Sequence, residues 1–310
     1  MIDFCGLRLA HPIINGSGTF DAIAARRAFG DELLARFPFS AFVSKTITLA
    51  PRAGNPPPRL WEAQAGMINS IGLPNRGLHG YLEHDLPHLA QLPVALITNV
   101  MGSSEAEVAQ LVEAVDARPE IAAIELNVSC PNVKTGLDIG ADPASLGALV
   151  RAVRPLTRKP LIVKLTPNTA DVAAVASAAE AAGADAVSLI NTLRAMAINP
   201  LDGTPWLGGR TGGMSGPAIR SVALAQVAAV ALRVGVPVVG MGGVAHGTHA
   251  KDLIAVGATL VAVGTENFRD PCAGTRVASE LKSLQIAGSP STNVNVAEPQ
   301  PEVEVDYGNS

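Results

Sequence analysis

The 310-residue sequence contains only three cysteines, and none of them belongs to a Cys-x-x-Cys pair. They stand far apart, at Cys5, Cys130 and Cys272, and their number is odd. This pattern excludes a disulfide framework and a cysteine-ligated zinc or iron–sulfur site within the chain. Any cluster chemistry connected with this protein must therefore come from elsewhere.

Clustered basic residues and long apolar runs are also lacking. The formal net charge is -4, and Lys and Arg are scattered, so we expect no nucleic-acid partner. No uncharged apolar run approaches the roughly 18 residues that a membrane-spanning helix needs, and the first residues do not resemble a signal peptide. We therefore expect a cytoplasmic protein with no membrane partner.

Short apolar runs alternate with Ala-rich amphipathic segments along most of the chain. The runs occupy residues 12–15, 41–45, 94–99, 121–127, 161–164, 186–191, 236–240 and 259–263. The amphipathic segments include 105–116, 143–154, 171–182 and 217–233, and cap-type residues such as Ser104, Asp142 or Thr169 precede them. Eight strand–helix units in one domain predict a (β/α)8 TIM barrel.

A polar residue or a glycine follows every one of the eight predicted strands. These residues are Ser17, Lys45, Thr46, Asn99, Asn127, Cys130, Lys164, Asn191, Thr192, Gly242, Gly243, Gly264 and Thr265. In this fold the carboxyl ends of the strands form the rim that carries the active site. A chance distribution would not repeat the pattern eight times, so the sequence predicts one pocket at that rim.

Glycines close the last two predicted strands, at residues 240–243 and at Gly264. Barrels commonly hold a phosphate group at this position against backbone N–H groups, so a phosphorylated ligand is expected. Residues 240–245 also match a dinucleotide fingerprint, but Ala262 and Val263 stand where an acidic ribose ligand would be needed. A Rossmann site is therefore disfavoured.

The segment 125–132 (ELNVSCPN) carries a thiol directly after an apolar strand. An isolated cysteine is more often a buried structural residue. Cys130, however, lies between Asn127 and Asn132, whose amides supply the donors and acceptors needed to hold a small ring rich in C=O and N–H groups. The sequence therefore favours proton transfer by Cys130 next to such a ring.

Two lysines are embedded in apolar strands, where an ammonium group is costly unless a ligand meets it. Lys45 and Lys164 are both expected to face a ligand. A flavin that becomes anionic on reduction would need such a cation near its ring, whereas a lyase would need a lysine of lowered pKa for a Schiff base. The residue type does not choose between these two roles.

Two segments after the second strand differ from the repeating pattern. Residues 66–75 are a long turn-rich connection with little helical periodicity, which suggests a functional loop. Residues 54–59 (GNPPPR) are expected to form a rigid connector, in which Arg59 is a second candidate for contacting an anion.

From about residue 12 to residue 284 the chain resembles the class 1 dihydroorotate dehydrogenases. The resemblance is carried by residues 54–59, 69–73 (NSIGL), 125–132, 162–164 (IVK), 189–192 (LINT), 211–216 (TGGMSG) and 240–243 (GMGG). It implies that residues 1–284 form a barrel that holds FMN at its rim and oxidises dihydroorotate to orotate in de novo pyrimidine biosynthesis. It also implies that Cys130 removes a proton from C5 while hydride passes from C6 to the flavin.

The same resemblance implies a set of binding residues. FMN contacts are expected from Ser17, Lys45, Thr46, Asn99, Asn127, Lys164, Ile190, Gly216, Gly242, Gly243, Gly264 and Thr265. Substrate contacts are expected from Lys45, Asn69, Ser70, Ile71, Gly72, Leu73, Asn127, Asn132, Asn191 and Thr192.

Residues 129–136 and 189–197 are similar to those of the NAD-linked type, in which a separate subunit carries FAD and a 2Fe-2S cluster. This chain would then be the homodimeric core of a heterotetramer, although fumarate-linked relatives share the barrel. Other open interpretations are a flavin-dependent dihydropyrimidine or uracil-type oxidoreductase, a Schiff-base lyase using Lys164, and a catalytically silent barrel.

The end of the chain has a different composition. Residues 285–310 are polar, acidic and poor in large apolar groups, so a disordered tail without assigned function is expected.

Overall fold

The structure, a computed structural model, describes residues 1–128 and 139–287. Eight parallel strands form one sheet that curves into a barrel, which confirms the predicted TIM-barrel fold. In chain order the strands are β1 (Ile13–Asn15), β2 (Ala41–Val43), β3 (Ala95–Val100), β4 (Ala123–Asn127), β5 (Leu161–Lys164), β6 (Ala186–Leu189), β7 (Val238–Met241) and β8 (Leu260–Val263). Each observed strand overlaps the apolar run that predicted it.

The barrel closes between β1 and β2 mainly through side chains. Ladder pairing runs from β1 through β8 and in descending order to β2. At the remaining gap the amide of Asn15 donates to the Val43 C=O at 2.8 Å and accepts from the Val43 N–H at 2.9 Å. One backbone bond, from the Ser40 N–H to the Ile13 C=O at 3.0 Å, completes the closure. A carboxamide thus replaces the peptide group of a missing strand partner.

Helices cover the outside of the barrel. The α-helices are Ala22–Phe29, Glu32–Ala35, Gly77–Gly80, Leu86–Leu89, Glu105–Asp116, Pro143–Val153, Val172–Ala181, Arg220–Ala231, Gly247–Ala255 and Ala273–Ala287. A π-helical turn, Tyr81–Asp85, joins two of them, and 3-10 turns occur at Ile139–Ala141, Arg154–Leu156, Pro217–Ile219 and Thr265–Phe268. The four predicted helical segments are all present within a few residues of the expected bounds.

Two of the expected helix caps are confirmed and one is wrong. The side chains of Ser104 and Asp142 accept hydrogen bonds from the first turns of their helices. The helix Val172–Ala181 is capped by Asp171, and Thr169 instead donates to the C=O of Ala141. The carboxylate lies immediately before the helix and therefore reaches the exposed N–H groups that the threonine does not.

The inward-facing residues of the strands form an apolar cluster at the amino-terminal half of the barrel. It joins side chains from all eight strands, including Ile14, Ile97, Ile162 and Leu260. An antiparallel hairpin at the start of the chain, Ile2–Phe4 with Leu7–Leu9, closes this end by packing its buried apolar residues on the cluster. The sequence reading did not foresee this hairpin.

A second sheet lies over the loops at the carboxyl end of the barrel. Its four antiparallel strands are Leu60–Ala63, Gly66–Asn69, Leu193–Ala195 and Gly212–Ser215. The segment 66–75 was expected to be a long loop, but its first four residues form a central strand of this sheet. The small residues Gly212 and Gly213 allow the strands to approach closely, which hides the alternating pattern that normally marks a strand.

The last helix, Ala273–Ala287, passes the expected domain boundary by three residues. The remainder of the predicted tail, 288–310, lies outside the described residues, and its disorder stays a prediction. No helix in the described part of the chain is both long and apolar enough to cross a membrane.

Replacing Asn15 by Ala should lower the free energy of unfolding by about 2 to 4 kcal/mol, because the Val43 N–H and C=O would be left buried without their partners. Urea unfolding followed by circular dichroism measures this. Lys282→Ala, at an exposed position of the last helix, is the control and should change stability by less than about 0.5 kcal/mol. Equal losses in both variants would contradict the role assigned to Asn15.

Candidate active site

Polar residues replace apolar ones on the inward face of the barrel near its carboxyl end. Because side chains two residues apart point to the same face of a strand, the inward positions of Ile97, Ala123, Ile162 and Ala186 continue to polar residues. These polar residues are Asn99, Glu125, Asn127, Lys164 and Ser188, and all five are buried. The apolar half of the barrel is thus followed by a polar layer.

Glu125 is the centre of this layer. One carboxylate oxygen accepts from the Asn99 Nδ2 at 2.5 Å, and the other accepts from the Ser188 Oγ at 2.9 Å. The side chain is 3% exposed, and both of its oxygens are hydrogen-bonded, which offsets the cost of burying a carboxylate. Glu125 therefore links strands β3, β4 and β6 at one level of the barrel.

Asn99 is completely buried, and its two polar side-chain atoms differ in their hydrogen bonding. The Nδ2 is bonded to Glu125, whereas the Oδ1 has no hydrogen-bond partner among the described residues. Buried amide oxygens in folded proteins are nearly always paired with protein, water or ligand. This oxygen is consequently an acceptor available to a molecule bound at the rim.

Lys45 and Lys164 are the cations of the site. The pKa of Lys45 is lowered from its ordinary value, first by burial and second by the positive charge of Lys164. A Cβ added to Gly18 would lie 2.8 Å from the Lys45 Cδ and 3.0 Å from its Nζ, so the glycine leaves room for this side chain. Two like charges held near each other under partial burial favour the binding of an anionic or strongly polar ligand.

A cavity of about 670 Å³ borders Lys45. Its other lining residues include Phe20, Ile23, Pro74 and Tyr81, and Lys45 is the one predicted cofactor or substrate residue among them. The cavity therefore lies next to Lys45 and not among the other polar residues of the rim.

Three residues expected to contact the cofactor meet on the side of β1, β2 and β4. The hydroxyl of Thr46 lies 3.4 Å from the Ser17 Oγ and accepts from the Asn127 Nδ2 at 3.4 Å. Ser17 also donates to the C=O of Ser44 at 2.7 Å. The structure therefore brings Ser17, Thr46 and Asn127 together as the sequence predicted.

A second group gathers on the side of β6, β7 and β8. Gly216, Gly242 and Gly243 have positive φ angles of 85°, 133° and 68°, which only glycine adopts readily. The Thr265 hydroxyl donates to the Ser215 Oγ at 2.8 Å, next to Gly216. A Cβ on Gly242 would stand 3.4 Å from the Ile190 side chain, so the predicted Ile190 also belongs to this group.

The backbone around these glycines offers hydrogen-bond donors. Within residues 1–128 and 139–287, the N–H groups of Gly242, Gly243, Gly264 and Thr265 have no acceptor. A Cβ on Gly16 would lie 3.7 Å from the Gly264 Cα, which places this group beside the loop of Ser17. Four adjacent N–H donors of this kind suit a phosphate group.

The second sheet forms a wall that carries several predicted substrate residues. Asn69 donates to the Gly213 C=O at 3.3 Å, and a Cβ on Gly213 would overlap the Thr192 side chain. The Asn191 Oδ1 accepts from the Thr192 N–H at 2.9 Å. Asn69, Asn191 and Thr192 are thus assembled around one glycine, although Asn69 is more than 120 residues from the other two in the chain.

The 69–73 loop is held by its own hydrogen bonds. The Ser70 hydroxyl donates to the Thr211 C=O at 2.8 Å and accepts from Asn55 at 3.0 Å, and Ser70 is buried. Gly72 and Leu73 both have positive φ angles, and a Cβ on Gly72 would meet the Asn55 backbone at 2.5 Å. The Ser70 hydroxyl is therefore already hydrogen-bonded within the protein, and Ser70 contributes to the site by holding the loop in place.

Arg59 stabilises the connector that contains it. Its guanidinium donates to the C=O groups of Asn55 at 2.6 Å and Ala53 at 3.0 Å. This agrees with the expectation of a rigid connector. Two predicted site residues, Cys130 and Asn132, lie outside the described residues, and their roles stay predictions.

Sequence reasoning missed Glu125 and Asn55 as site residues. Glu125 could have been found, because it stands two residues before Asn127 in an otherwise apolar strand and must share its inward face. Asn55 carries no such signal, since its contact with Ser70 joins two irregular segments.

Comparison with known proteins identifies the family to which this chain belongs. A model of the family described as Dihydroorotate dehydrogenase matches residues 1–284. The chain belongs to the dihydroorotate dehydrogenase family. Its relatives in that family include "Dihydroorotate dehydrogenase B (NAD(+)), catalytic subunit" from Geobacter metallireducens, which is 43% identical over 92% of each chain. The proteins of the same name from Desulforudis audaxviator and Pelobacter propionicus are 45% and 44% identical, each over 91% of both chains.

Removing the charge of Lys164 should raise the pKa of Lys45 in this dehydrogenase-family chain, because one of the two causes that lower it would be gone. NMR titration of the side-chain carbons of 13C-labelled lysine in Lys164→Gln measures the shift. Burial should still keep the pKa of Lys45 below its ordinary value. Lys282→Gln is the control and should leave the titration unchanged, and an unchanged pKa in both variants would show that the two lysines are not coupled.

Proposed function

We propose that the chain is the catalytic subunit of a dihydroorotate dehydrogenase, which oxidises (S)-dihydroorotate to orotate with FMN in de novo pyrimidine biosynthesis. Membership of the dihydroorotate dehydrogenase family supports the reaction. The observation that carries the proposal further is the convergence at one rim of two lysines, several carboxamides and four N–H donors that have no acceptor among the residues the structure describes.

The residues at the rim fit FMN. The N–H groups of Gly242, Gly243, Gly264 and Thr265 would hold the phosphate, and Gly242 and Gly243 have the positive φ angles that glycine adopts readily. The polar layer would hold the ring system. The Asn99 Oδ1, which has no partner within the described ranges, and the Asn127 amide offer the acceptor and donor that an isoalloxazine edge requires, with Lys164 as the cation. Ser17, Lys45, Thr46, Ile190 and Gly216 would complete the site.

Dihydroorotate carries a carboxylate and a ring of alternating C=O and N–H groups. Lys45 would pair with the carboxylate, and the amides of Asn69, Asn127, Asn132 and Asn191 would hold the ring. Ser70, Ile71, Gly72, Leu73 and Thr192 would shape the wall around it. Because Lys45 offers a partner for a carboxylate, the site favours dihydroorotate over a dihydropyrimidine that lacks a carboxylate.

In the proposed reaction Cys130 removes the proton from C5 of dihydroorotate. Bound FMN supplies a two-electron acceptor for the hydride that leaves C6. The lysines and carboxamides would keep the substrate ring oriented. Family membership disfavours both the Schiff-base lyase and the silent barrel.

The relatives are named as NAD-linked catalytic subunits. We infer from these names that electrons leave this chain for NAD through a separate subunit, in preference to fumarate. That subunit would carry FAD and a 2Fe-2S cluster, and this chain would form the homodimeric core of the assembly. The cytoplasmic location expected from the sequence stays a prediction.

Purified protein should show a flavin absorbance band near 450 nm that bleaches when dihydroorotate is added without oxygen. Dihydrouracil, which lacks the carboxylate, should leave the band largely intact, because Lys45 would have no charge to pair with. An anaerobic titration with each compound makes the measurement. Equal bleaching by both would favour the dihydropyrimidine oxidoreductase, and protein that takes up no flavin would contradict the proposal.

Cys130→Ala should retain bound flavin but reduce it at least about a hundredfold more slowly with dihydroorotate, because the general base is missing. In the unchanged protein the rate should rise on the alkaline side of neutrality, since an ordinary cysteine titrates near pH 8.5. Stopped-flow reduction from pH 6 to 9 measures both effects, with Cys272→Ala as the control. Near-normal reduction in Cys130→Ala would remove the thiol from the mechanism.

A further inference from the structure

Glu125 has no role in the proposed reaction, yet it is one of the most buried charged residues of the structure. It stands one inward position below Asn127 on β4, between the apolar cluster and the rim. A buried carboxylate is costly, so its position next to the proposed cofactor site calls for a physical reason beyond packing.

The contacts of Glu125 determine how Asn99 is oriented. A carboxylate has only acceptor atoms, and an asparagine amide has donors on Nδ2 and an acceptor on Oδ1. The Asn99 Nδ2 must therefore face Glu125, to which it donates at 2.5 Å. The Ser188 hydroxyl donates to the other oxygen at 2.9 Å and holds the carboxylate in place.

This orientation leaves the Oδ1 of Asn99 as the atom presented away from Glu125. It is buried and has no partner in the described part of the chain. A ligand group that meets it must be a hydrogen-bond donor, because an acceptor would leave two oxygens opposed without a proton. The ring of oxidised isoalloxazine has one such donor, the imide N3–H.

We propose that Glu125 is a positioning residue that fixes the Asn99 amide so that its Oδ1 accepts the N3–H of the flavin. This inference rests on the proposed function, because it requires FMN at the rim. It adds to that proposal the orientation of the flavin: the pyrimidine edge of the ring system would lie over the polar layer of the barrel that contains Glu125.

Glu125→Leu removes the acceptor at this position. No atom of residue 125 would then accept from the Asn99 Nδ2, so the orientation of the amide would no longer be fixed. An N3–H that meets Oδ1 would leave Nδ2 buried without a partner, and the preference for an unsubstituted N3 should weaken. Glu125→Gln should keep the preference, because its Oε1 can accept from the Asn99 Nδ2 while its Nε2 donates to the Ser188 Oγ.

The experiment compares FMN with 3-methyl-FMN, in which N3 carries no hydrogen. Apoprotein is titrated with each flavin, and dissociation constants are obtained from quenching of flavin fluorescence. The unchanged chain should bind FMN at least about tenfold more tightly than the methylated flavin, as expected for one lost hydrogen bond at a buried acceptor. In Glu125→Leu the ratio should fall to about threefold or less, mainly through weaker binding of FMN.

Glu113→Gln, at an exposed position of the helix Glu105–Asp116, is the matched control and should keep the full ratio. If Glu125→Leu does not fold, Asn99→Leu replaces it, since leucine has a similar volume but no acceptor and should lower the ratio in the same way. The ratio is compared between variants, so any effect of methyl size alone cancels.

A ratio that is unchanged in Glu125→Leu would overturn the proposal, because the Asn99 amide would then be oriented without the carboxylate. Equal binding of both flavins by the unchanged chain would overturn it as well, and would place a ribityl hydroxyl or water on Asn99 instead. Failure of the unchanged chain to bind FMN at all would refute the proposed function itself and remove the basis of this inference.

Discussion

The polar half of the barrel depends on one buried carboxylate. Glu125 joins strands β3, β4 and β6 through Asn99 and Ser188, and without it two buried polar groups would have no partner. Apolar side chains from all eight strands fill the other half of the barrel and are closed off by the amino-terminal hairpin. The boundary between the two halves is therefore sharp. Below it, stability comes from apolar burial, and above it each polar group requires a defined partner, which restricts the ligands that can enter.

Two kinds of binding group lie on opposite sides of the rim, charged lysine side chains on one side and backbone N–H donors on the other. Lys45 and Lys164 concentrate positive charge on one side, where burial and mutual repulsion already lower the pKa of Lys45. On the other side, donors come from peptide groups around Gly242, Gly243 and Gly264, and these carry no formal charge. A ligand with a phosphate at one end and a polar ring at the other meets both requirements together. Backbone donors also keep their positions without loss of side-chain entropy, so the phosphate end can be held by rigid parts of the fold.

The barrel could be predicted from sequence because its signal is repeated. Eight apolar runs alternate with amphipathic segments, and the polar residue after each run marks the same rim. The amino-terminal hairpin was not foreseen, since its strands have three residues each and its turn depends on positive φ angles at Cys5 and Gly6. The strand Gly66–Asn69 was read as a loop because its partner, Gly212–Ser215, is rich in glycine and distant in sequence. Ser17, Thr46 and Asn127 were correctly grouped from strand ends alone. The partners of Ser70 and Asn99 were not, because such contacts depend on side-chain orientation between distant segments.

The wall over the rim is a single sheet built from two distant parts of the chain. The strand that ends in Asn69 pairs with Gly212–Ser215, which in turn pairs with Leu193–Ala195 directly after Thr192. Because ladder hydrogen bonds tie these strands edge to edge, Asn69 and Thr192 cannot move apart independently. The spacing between the two sides of the wall is therefore set by backbone hydrogen bonds and does not depend on the conformations of long side chains.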